Sequence, residues 1–292
     1  MNDNVLKKIE SGKDLSSSDW ESYLKEAHQK TPGMTPSAFR NLRDKEGLNS
    51  YQRLLRAAML KRGDVILDLA CGDGHLFSYI EDELGPDFSY VGVDMSESEL
   101  ALARQRLEGR TKCKFLNERA QKLSLKSESC DRCLCHMAFM LMNPVDEVIS
   151  EIKRVLKPGG RFCAVVGSRK VADGLLKEFH NLLSKHLDSN ISNLNKIPMG
   201  DARTTTMDGI KELFPENDWE LKDISDIVLD MECPPSLVWN VFKDMYFIDL
   251  LNAEQKEVLR QKIVGLASEN SHDDLVNTQF PMMLLTLEKR VR

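Results

Sequence analysis

The segment DVILDLACGDGHL at residues 64–76 constrains the fold of this chain most. Residues 65–69 are mostly aliphatic and are bounded by turn formers, which predicts a buried strand. Gly72 and Gly74 allow a sharp turn after that strand, and they let the backbone approach a ligand that a Cβ would obstruct. The amphipathic segment at about residues 75–84 predicts a helix whose N-terminus points at this ligand. A strand, glycine turn and helix in this order are typical of a nucleotide-binding site.

Further apolar runs alternate with helical patterns along the chain. Besides residues 65–69, strand patterns occur at about residues 90–94, 113–116, 132–137, 161–166, 219–231 and 280–287. Strands that alternate with helices at this pace predict an α/β protein with a parallel sheet that is covered on both faces.

Two helix predictions depend on local patterns. Ser96 followed by Glu99 predicts a capping box at the start of a helix that reaches about residue 107. The Pro234–Pro235 pair opens a stretch that predicts helices over residues 236–251 and 253–266.

Composition limits the class of partner and the compartment. The 292 residues are 41% hydrophobic and carry a net charge of −6, which argues against nucleic acid or an anionic membrane as the main partner. The N-terminus lacks the apolar core of a signal peptide, and no apolar run reaches the ~18 residues of a membrane span. Seven cysteines form an odd set without secretory context. We therefore expect reduced thiols and a cytoplasmic protein.

One cysteine cluster admits two interpretations. Cys130, Cys133, Cys135 and His136 carry the soft ligands of a metal site. The same residues fit a buried strand, because cysteine behaves as a small hydrophobe. A second cysteine pair at matching spacing is absent from the sequence, so we expect the buried strand and no metal.

The glycine turn also narrows the class of nucleotide. A dinucleotide site uses G-x-G-x-x-G, and the third glycine position here holds Phe77. The phosphate-loop pattern G-x-x-x-x-G-K-[ST] is absent from the sequence. The turn carries Asp73 and His75 but no lysine or arginine, so a polyphosphate would lack a countercharge there. We expect a ligand with little negative charge at this point.

Five motifs, in their usual order, resemble the class I methyltransferases that depend on S-adenosylmethionine (SAM). Residues 68–74, DLACGDG, resemble motif I of that family, and Asp94 stands where the family binds the ribose hydroxyls. The other three motifs are the adenine loop at 120–123, strand four with its turn at 130–141, and the helix-to-strand-five signature at 151–161.

The resemblance covers about residues 51–167 and is to the small-molecule branch called type 11. It implies a Rossmann-like doubly wound sheet of seven strands, mostly parallel with the last strand antiparallel. A helical N-terminal lid would occupy residues 1–50, and the SAM-binding core residues 51–170. Residues 171–292 would complete the sheet and carry a helical insert at about 232–279.

The resemblance also implies which residues hold the cofactor. Asp94 would accept hydrogen bonds from both ribose hydroxyls, and Asp68 would attract the ammonium of the methionine portion. The remaining expected contacts are Ala70, Cys71, Gly72 and Gly74 for the methionine portion, Met95, Arg119, Ala120 and Gln121 for the adenine, and His136 through its backbone at the end of strand four.

The sequence departs from the family pattern at two places. The residue before Ala120 is commonly acidic in this family and accepts from the adenine amine, whereas here it is Arg119. A guanidinium cannot accept a hydrogen bond, so Gln121 or a backbone carbonyl must do so. Met140 and Leu141 stand where relatives often have histidines, which removes an obvious general base.

Candidates for catalysis and for the acceptor pocket lie outside the core motifs. Tyr23 and His28 fall in a segment that resembles the N-terminal lid of bacterial members, and each is a candidate catalytic residue or a packing residue of the lid. Trp239, Phe242 and Tyr246 have helical spacing, which suits a buried core or a pocket for a bulky apolar acceptor.

The sequence therefore predicts a SAM-dependent methyltransferase that acts on a small apolar or aromatic metabolite by in-line displacement. Alignment and exclusion of water can supply most of the catalysis, and a base is needed only for an acceptor that must lose a proton. The alternatives are a non-catalytic SAM-binding module and a protein or nucleic-acid methyltransferase. We expect a monomer or homodimer without a nucleic-acid partner.

Overall fold

The computed structural model describes residues 15–168, 174–188 and 200–291, together with residues 5, 8, 11 and 13. Its helices are α1 (Ser17–Lys30), α2 (Met34–Phe39), α3 (Ser50–Ala58), α4 (Leu76–Leu84), α5 (Glu97–Arg106), α6 (Val145–Val155), α7 (Leu175–Asp188), α8 (Met207–Leu213), α9 (Trp239–Phe242) and α10 (Ala253–Glu269). Its strands are β1 (Val65–Leu69), β2 (Ser89–Asp94), β3 (Cys113–Asn117), β4 (Cys130–His136), β5 (Leu156–Gly167), β6 (Trp219–Cys233) and β7 (Val276–Lys289).

The seven strands form one sheet in the order β3-β2-β1-β4-β5-β7-β6. The pairs among β1 to β5 are parallel, and β7 runs antiparallel to both β5 and β6. Strand β1 pairs with β2 on one side and with β4 on the other. This reversal of strand order opens a crevice at the carboxyl ends of β1 and β4. The expected seven-stranded sheet with an antiparallel last strand is confirmed.

Alternating strand residues divide the core between the two faces of the sheet. On one face Ile66 and Leu134 pack with α3, α4, α7 and residues of the N-terminal helices. On the other face Leu67 and Cys133 pack with α6 and α8. Both faces are covered, as expected for parallel strands that read as continuous apolar runs. Among the described helices, none is long and apolar enough to cross a membrane.

The region after Pro234 departs from the helix predicted for residues 236–251. Helix α9 is a single turn between two short 3₁₀ turns, Pro235–Leu237 and Ile248–Leu250. Phe247 has a left-handed backbone with φ of 74°, which ends any helix that reaches it. The predicted continuous helix is therefore wrong, whereas the helix predicted at 253–266 corresponds to α10.

Candidate functional site

A cavity of about 1070 Å³, including its open mouth, lies at the carboxyl ends of β1, β2 and β4. From the segments called lid and insert above, Glu21, Leu24, His28 and Tyr246 also line it. The sequence-predicted residues that line it are His28, Asp68, Ala70, Cys71, Gly72, Asp94, Met95, Arg119, Ala120, Gln121, His136 and Tyr246. The predicted residues Tyr23, Gly74, Trp239 and Phe242 lie outside its lining.

The glycine turn brings its own backbone to the wall of this cavity. Ala70, Gly72 and Gly74 all have a left-handed backbone, with φ of 60°, 53° and 72°. Gly72 donates its N–H to Asp94 Oδ2 at 2.9 Å, which joins the ends of β1 and β2. A Cβ on Gly74 would lie 3.3 Å from the Ala103 Cβ. Gly74 thus serves the close packing of α5 behind the turn rather than the cavity wall.

Asp94 is held as a hydrogen-bond acceptor by two backbone donors. Its Oδ2 accepts from Gly72 N and its Oδ1 accepts from Ser96 N at 2.8 Å. Burial raises the pKa of this carboxyl, although both backbone bonds act in the opposite direction. Each carboxylate oxygen can accept more than one hydrogen bond. Asp94 therefore has capacity left for two donors from a ligand, such as a vicinal diol.

Asp68 is almost fully buried, with 2% of its surface exposed. The Tyr90 hydroxyl donates to its Oδ2 at 2.6 Å. Burial raises the pKa of Asp68 to about 7, because it outweighs the Tyr90 hydrogen bond and is reinforced by the charges of Asp94 and Asp73. A cation in the cavity would favour the ionised form of this carboxyl.

The lid helix α1 is joined to the core by a buried carboxylate. His28 Nδ1 lies 2.7 Å from Glu99 Oε1, and Gly33 N donates to both oxygens of Glu99 at 3.0 and 3.1 Å. His28 Nε2 lies 3.1 Å from the Tyr246 hydroxyl. The Ser96 side chain makes no capping bond to α5. The predicted capping box is wrong, because the Glu99 carboxylate binds the lid instead of the start of its own helix.

Tyr23 joins the lid to the insert. Its hydroxyl donates to Asp249 Oδ1 at 2.8 Å and accepts from Phe247 N at 2.8 Å. The ring stacks on Trp20 and Phe247, with centroids 5.5 and 5.8 Å away. Burial, with the nearby Asp249 charge, raises the pKa of this phenol well above its ordinary value. The geometry gives Tyr23 a bridging position away from the cavity.

The predicted aromatic stripe divides between core and cavity. Phe242 is fully buried and stacks on Phe179 with centroids 4.4 Å apart. Trp239 packs against the same core from a half-buried position. Tyr246 alone of the three lines the cavity, where its hydroxyl meets His28.

Sequence reasoning placed His136 at the end of strand four, with a backbone contact to the cofactor, but did not predict the surroundings of its ring. Its ring stacks on Tyr51 at 3.8 Å, and its Nε2 lies 2.8 Å from Ser50 Oγ. Burial lowers the pKa of His136 to about 3, with a contribution from His75, so the ring is neutral. His136 Nδ1 and both ring nitrogens of His75 are buried without a hydrogen-bond partner among the described residues. Two rings beside the cavity thus hold buried polar atoms that no described residue satisfies, a feature without a sequence signature.

The cysteine cluster belongs to the interior of the sheet. Cys130, Cys133 and Cys135 are buried in β4, and burial raises the pKa of each thiol. His136 turns its ring to Ser50 rather than to these thiols. Within the described ranges, no group of three or more histidine, cysteine or acidic side chains has a metal-binding arrangement.

At the far end of the cavity, a lid residue that sequence reasoning missed meets the adenine-loop positions. Arg119 contacts Glu21 Oε1 through Nη2 at 2.5 Å and through Nε at 3.2 Å. Gln121 Nε2 donates to the same Glu21 oxygen at 3.2 Å and to Asn143 O at 3.0 Å. Glu21 lines the cavity beside these residues. No spacing rule links it to positions about a hundred residues later in the sequence.

The sheet order and the crevice at β1 and β4 define a Rossmann-like protein of the methyltransferase type. The family described as the methyltransferase domain matches residues 60–222, which is more than half of the chain. The chain therefore belongs to the class I SAM-dependent methyltransferases, and the family expected from the motifs is confirmed. SAM, the cofactor predicted from the sequence, is the cofactor of this family.

Two curated relatives match the core. The chain is 36% identical over 121 residues to a demethylmenaquinone methyltransferase of Lactococcus lactis subsp. lactis, which covers 38% of this chain and 47% of the relative. It is 35% identical over 106 residues to the chloroplastic 2-phytyl-1,4-beta-naphthoquinone methyltransferase of Arabidopsis thaliana, covering 35% and 41%. The chain thus spans less than half the length of each of these relatives.

Solved structures extend the similarity of the fold beyond the core. A putative methyltransferase from Bacillus halodurans superposes with a TM-score of 0.55 at 18% identity, covering 83% of this chain and 99% of the other. The YcgJ protein from Bacillus subtilis superposes with a TM-score of 0.55 at 17% identity, with the same coverage. At these identities the match establishes the shared fold.

Proposed function

We propose that this chain is an enzyme that binds SAM in the cavity and transfers its methyl group to a small apolar or aromatic acceptor. The observation that carries this proposal is the pair Asp68 and Asp94 at the two sides of the glycine turn, both facing one cavity. SAM offers an ammonium group and a ribose diol but no phosphate. Two carboxylates and a turn without lysine or arginine suit such a ligand.

Each part of the cofactor has a proposed set of contacts. Asp94 accepts from the ribose hydroxyls, Asp68 pairs with the ammonium, and the backbone of 70–72 surrounds the methionine portion. Gly74 supports that turn from behind. Met95, Arg119, Ala120 and Gln121 lie around the adenine, and His136 lies at the end of β4, next to the methionine portion.

The character of the remaining cavity wall supports an apolar acceptor. Leu24, Met137, Leu141 and Met142 line it together with the ring of Tyr246. Mostly apolar walls with a few polar anchors are typical of pockets for small organic ligands. Both curated relatives described above are named for quinone-type acceptors, which agrees with this choice.

We infer that His28 is the base for an acceptor that must lose a proton. With Nδ1–H donated to Glu99, the neutral ring presents Nε2 as an acceptor. The Tyr246 hydroxyl then donates to Nε2, so a proton from an acceptor hydroxyl reaches His28 through Tyr246. Bound SAM supplies the electrophilic methyl group on its sulfonium. The cavity walls align the acceptor with that methyl group, and the bound cofactor and acceptor displace water from it.

Calorimetric titration with SAM, S-adenosylhomocysteine and NAD tests the cofactor, and methyl-labelled SAM with phenol and quinol acceptors tests the transfer. We expect both adenosyl ligands to bind, NAD not to bind, and label to reach the acceptor. Asp94→Asn removes the negative charge, and its amide NH₂ must face one of the two backbone N–H groups that the carboxylate accepts from. We therefore expect this substitution to weaken the affinity for SAM by about tenfold or more. The exposed Asp82→Asn is the matched control.

Two results would count against the proposal. Binding of NAD without SAM would remove its basis. SAM binding without transfer to any of the acceptors would favour a non-catalytic SAM-binding module instead.

A further inference from the structure

We propose that Glu21, on the lid helix α1, is the acceptor for the exocyclic amine of the cofactor's adenine. This inference rests on the SAM-binding function proposed above. The strand-side position before Ala120, commonly acidic in the family, holds Arg119, which can only donate hydrogen bonds. Glu21 brings a carboxylate to the same edge of the cavity from the opposite side.

The hydrogen bonds around Glu21 leave one of its oxygens available. Arg119 Nη2, Arg119 Nε and Gln121 Nε2 all end on Oε1, at 2.5, 3.2 and 3.2 Å. No hydrogen bond between described residues ends on Oε2. The side chain is 19% exposed and lines the cavity, so a donor from a ligand in the cavity can approach this carboxylate.

Two other acceptors lie at this edge and suit the amine less well. Glu118 also lines the cavity, but its Oε2 accepts from Ser124 N at 2.8 Å, which turns the carboxylate towards its own loop. Gln121 offers only a neutral amide oxygen. A hydrogen bond to a charged acceptor contributes more than one to a neutral acceptor.

Arg119 acts as a positioning residue in this arrangement. Its guanidinium holds Oε1 and compensates the charge of Glu21 next to a neutral base. The same helix carries His28, which is bound to Glu99 of the core. The adenine amine is therefore bound by a residue of the lid, held in place by the His28–Glu99 contact, rather than by a residue of the Rossmann sheet.

The test compares the binding of three ligands to the full chain by calorimetry. The ligands are S-adenosylhomocysteine, its purine analogue without the exocyclic amine, and its 6-oxo analogue S-inosylhomocysteine. We expect the wild type to bind S-adenosylhomocysteine about tenfold or more tightly than the purine analogue. In Glu21→Ala this ratio falls to about one. In Glu21→Gln the 6-oxo analogue gains affinity relative to S-adenosylhomocysteine, because the amide N–H donates to O6.

The ratio of two ligands measured on one sample does not depend on how much of a variant is folded. An unchanged ratio in Glu21→Ala would overturn the assignment, and so would a wild type that does not discriminate. If the affinity ratio falls to about one in Glu118→Gln but is unchanged in Glu21→Ala, the acceptor for the adenine amine is Glu118. If the wild type binds no S-adenosylhomocysteine, the proposed function fails together with this inference, whereas binding with an unchanged ratio refutes Glu21 alone.

Discussion

The carboxylates of Asp68 and Asp94 at the cavity are held in different ways, and this gives them different chemistry. Asp94 receives a backbone N–H on each oxygen, which stabilises a carboxylate aimed at neutral donors. Asp68 receives one phenol hydrogen bond and is almost fully buried, and this burial raises its pKa to about 7. Asp68 therefore gains most from a cationic partner, whereas Asp94 suits a diol.

Asp68 makes SAM affinity depend on pH. Because the ammonium pairs with the ionised carboxyl, we expect affinity to weaken as pH falls through about 7, approaching tenfold per unit. Binding below this pH releases a proton, which calorimetry in buffers of different ionisation enthalpy measures. Asp68→Asn should bind SAM weakly at every pH, without this proton release.

The same shift affects the stability of the ligand-free protein with the opposite sign. The folded state holds the Asp68 proton more tightly than the unfolded chain, in which the carboxyl has its ordinary pKa of 3.8. The contribution of Asp68 to the free energy of unfolding therefore declines as pH rises from about 4 to about 7. A SAM affinity that is flat across this range would contradict the assigned partner of Asp68.

Substitution of His28 separates its effect on cofactor binding from its effect on proton transfer. We expect His28→Ala to retain S-adenosylhomocysteine binding within about tenfold, and to lose about a hundredfold or more of the transfer to a phenolic acceptor. An acceptor already ionised at the working pH should recover most of the lost rate. Equal loss with ionised and neutral acceptors would show that His28 only seats the lid.

At the scale of elements, the lid and the insert stabilise each other through Tyr23. Tyr23→Phe removes the acceptor for Phe247 N and the donor to Asp249 while leaving the aromatic stack in place. We expect the free energy of unfolding to fall by about 1–3 kcal/mol. Denaturant unfolding measures this loss, and the methyl-transfer rate of the folded variant should stay close to that of the wild type. Unchanged stability with abolished transfer would instead make Tyr23 catalytic.

The sequence predicted the elements that are specified locally. Strand β1 follows from the apolar run around Asp68, strand β2 follows from the run that ends in Asp94, and the turn between β1 and α4 follows from its glycines. The helix predicted over 236–251 is wrong because the spacing of apolar residues indicates only which side chains are buried. A series of short turns buries the same side chains without a continuous helix. Phe247 adopts a left-handed backbone whose N–H is satisfied by Tyr23, a contact between distant segments.

The grouping of candidate residues around one cavity was predictable where a short motif carries both the turn and the polar side chain. Asp68, Gly72 and Asp94, which all line the cavity, are such cases. The predicted capping role of Glu99 is wrong because its carboxylate binds Gly33 N of the lid instead of the N-terminus of its own helix. Only the tertiary structure brings the lid close to Glu99. Glu21 carried no signal, since a glutamate on a polar helix is ordinarily a solvated residue.

At the scale of the whole molecule, the cavity is a junction of three parts of the chain. The sheet edge supplies Asp68 and Asp94, the lid supplies Glu21 and His28, and the insert supplies Tyr246. A ligand that contacts all three must stabilise them as one unit, because each part loses contacts when the ligand leaves. This coupling predicts where protection by the ligand should appear.

We expect S-adenosylhomocysteine at about a hundred times its dissociation constant to raise the free energy of unfolding by about 2.7 kcal/mol. Hydrogen exchange should slow in α1, in residues 239–250 and in the glycine turn, because the ligand contacts the lid, the insert and the sheet at the same time. The paired strands β6 and β7, none of whose residues line the cavity, provide the internal control within one sample. Protection confined to the glycine turn and β2 would contradict the coupling, since it would mean that the lid and insert move independently of the bound cofactor.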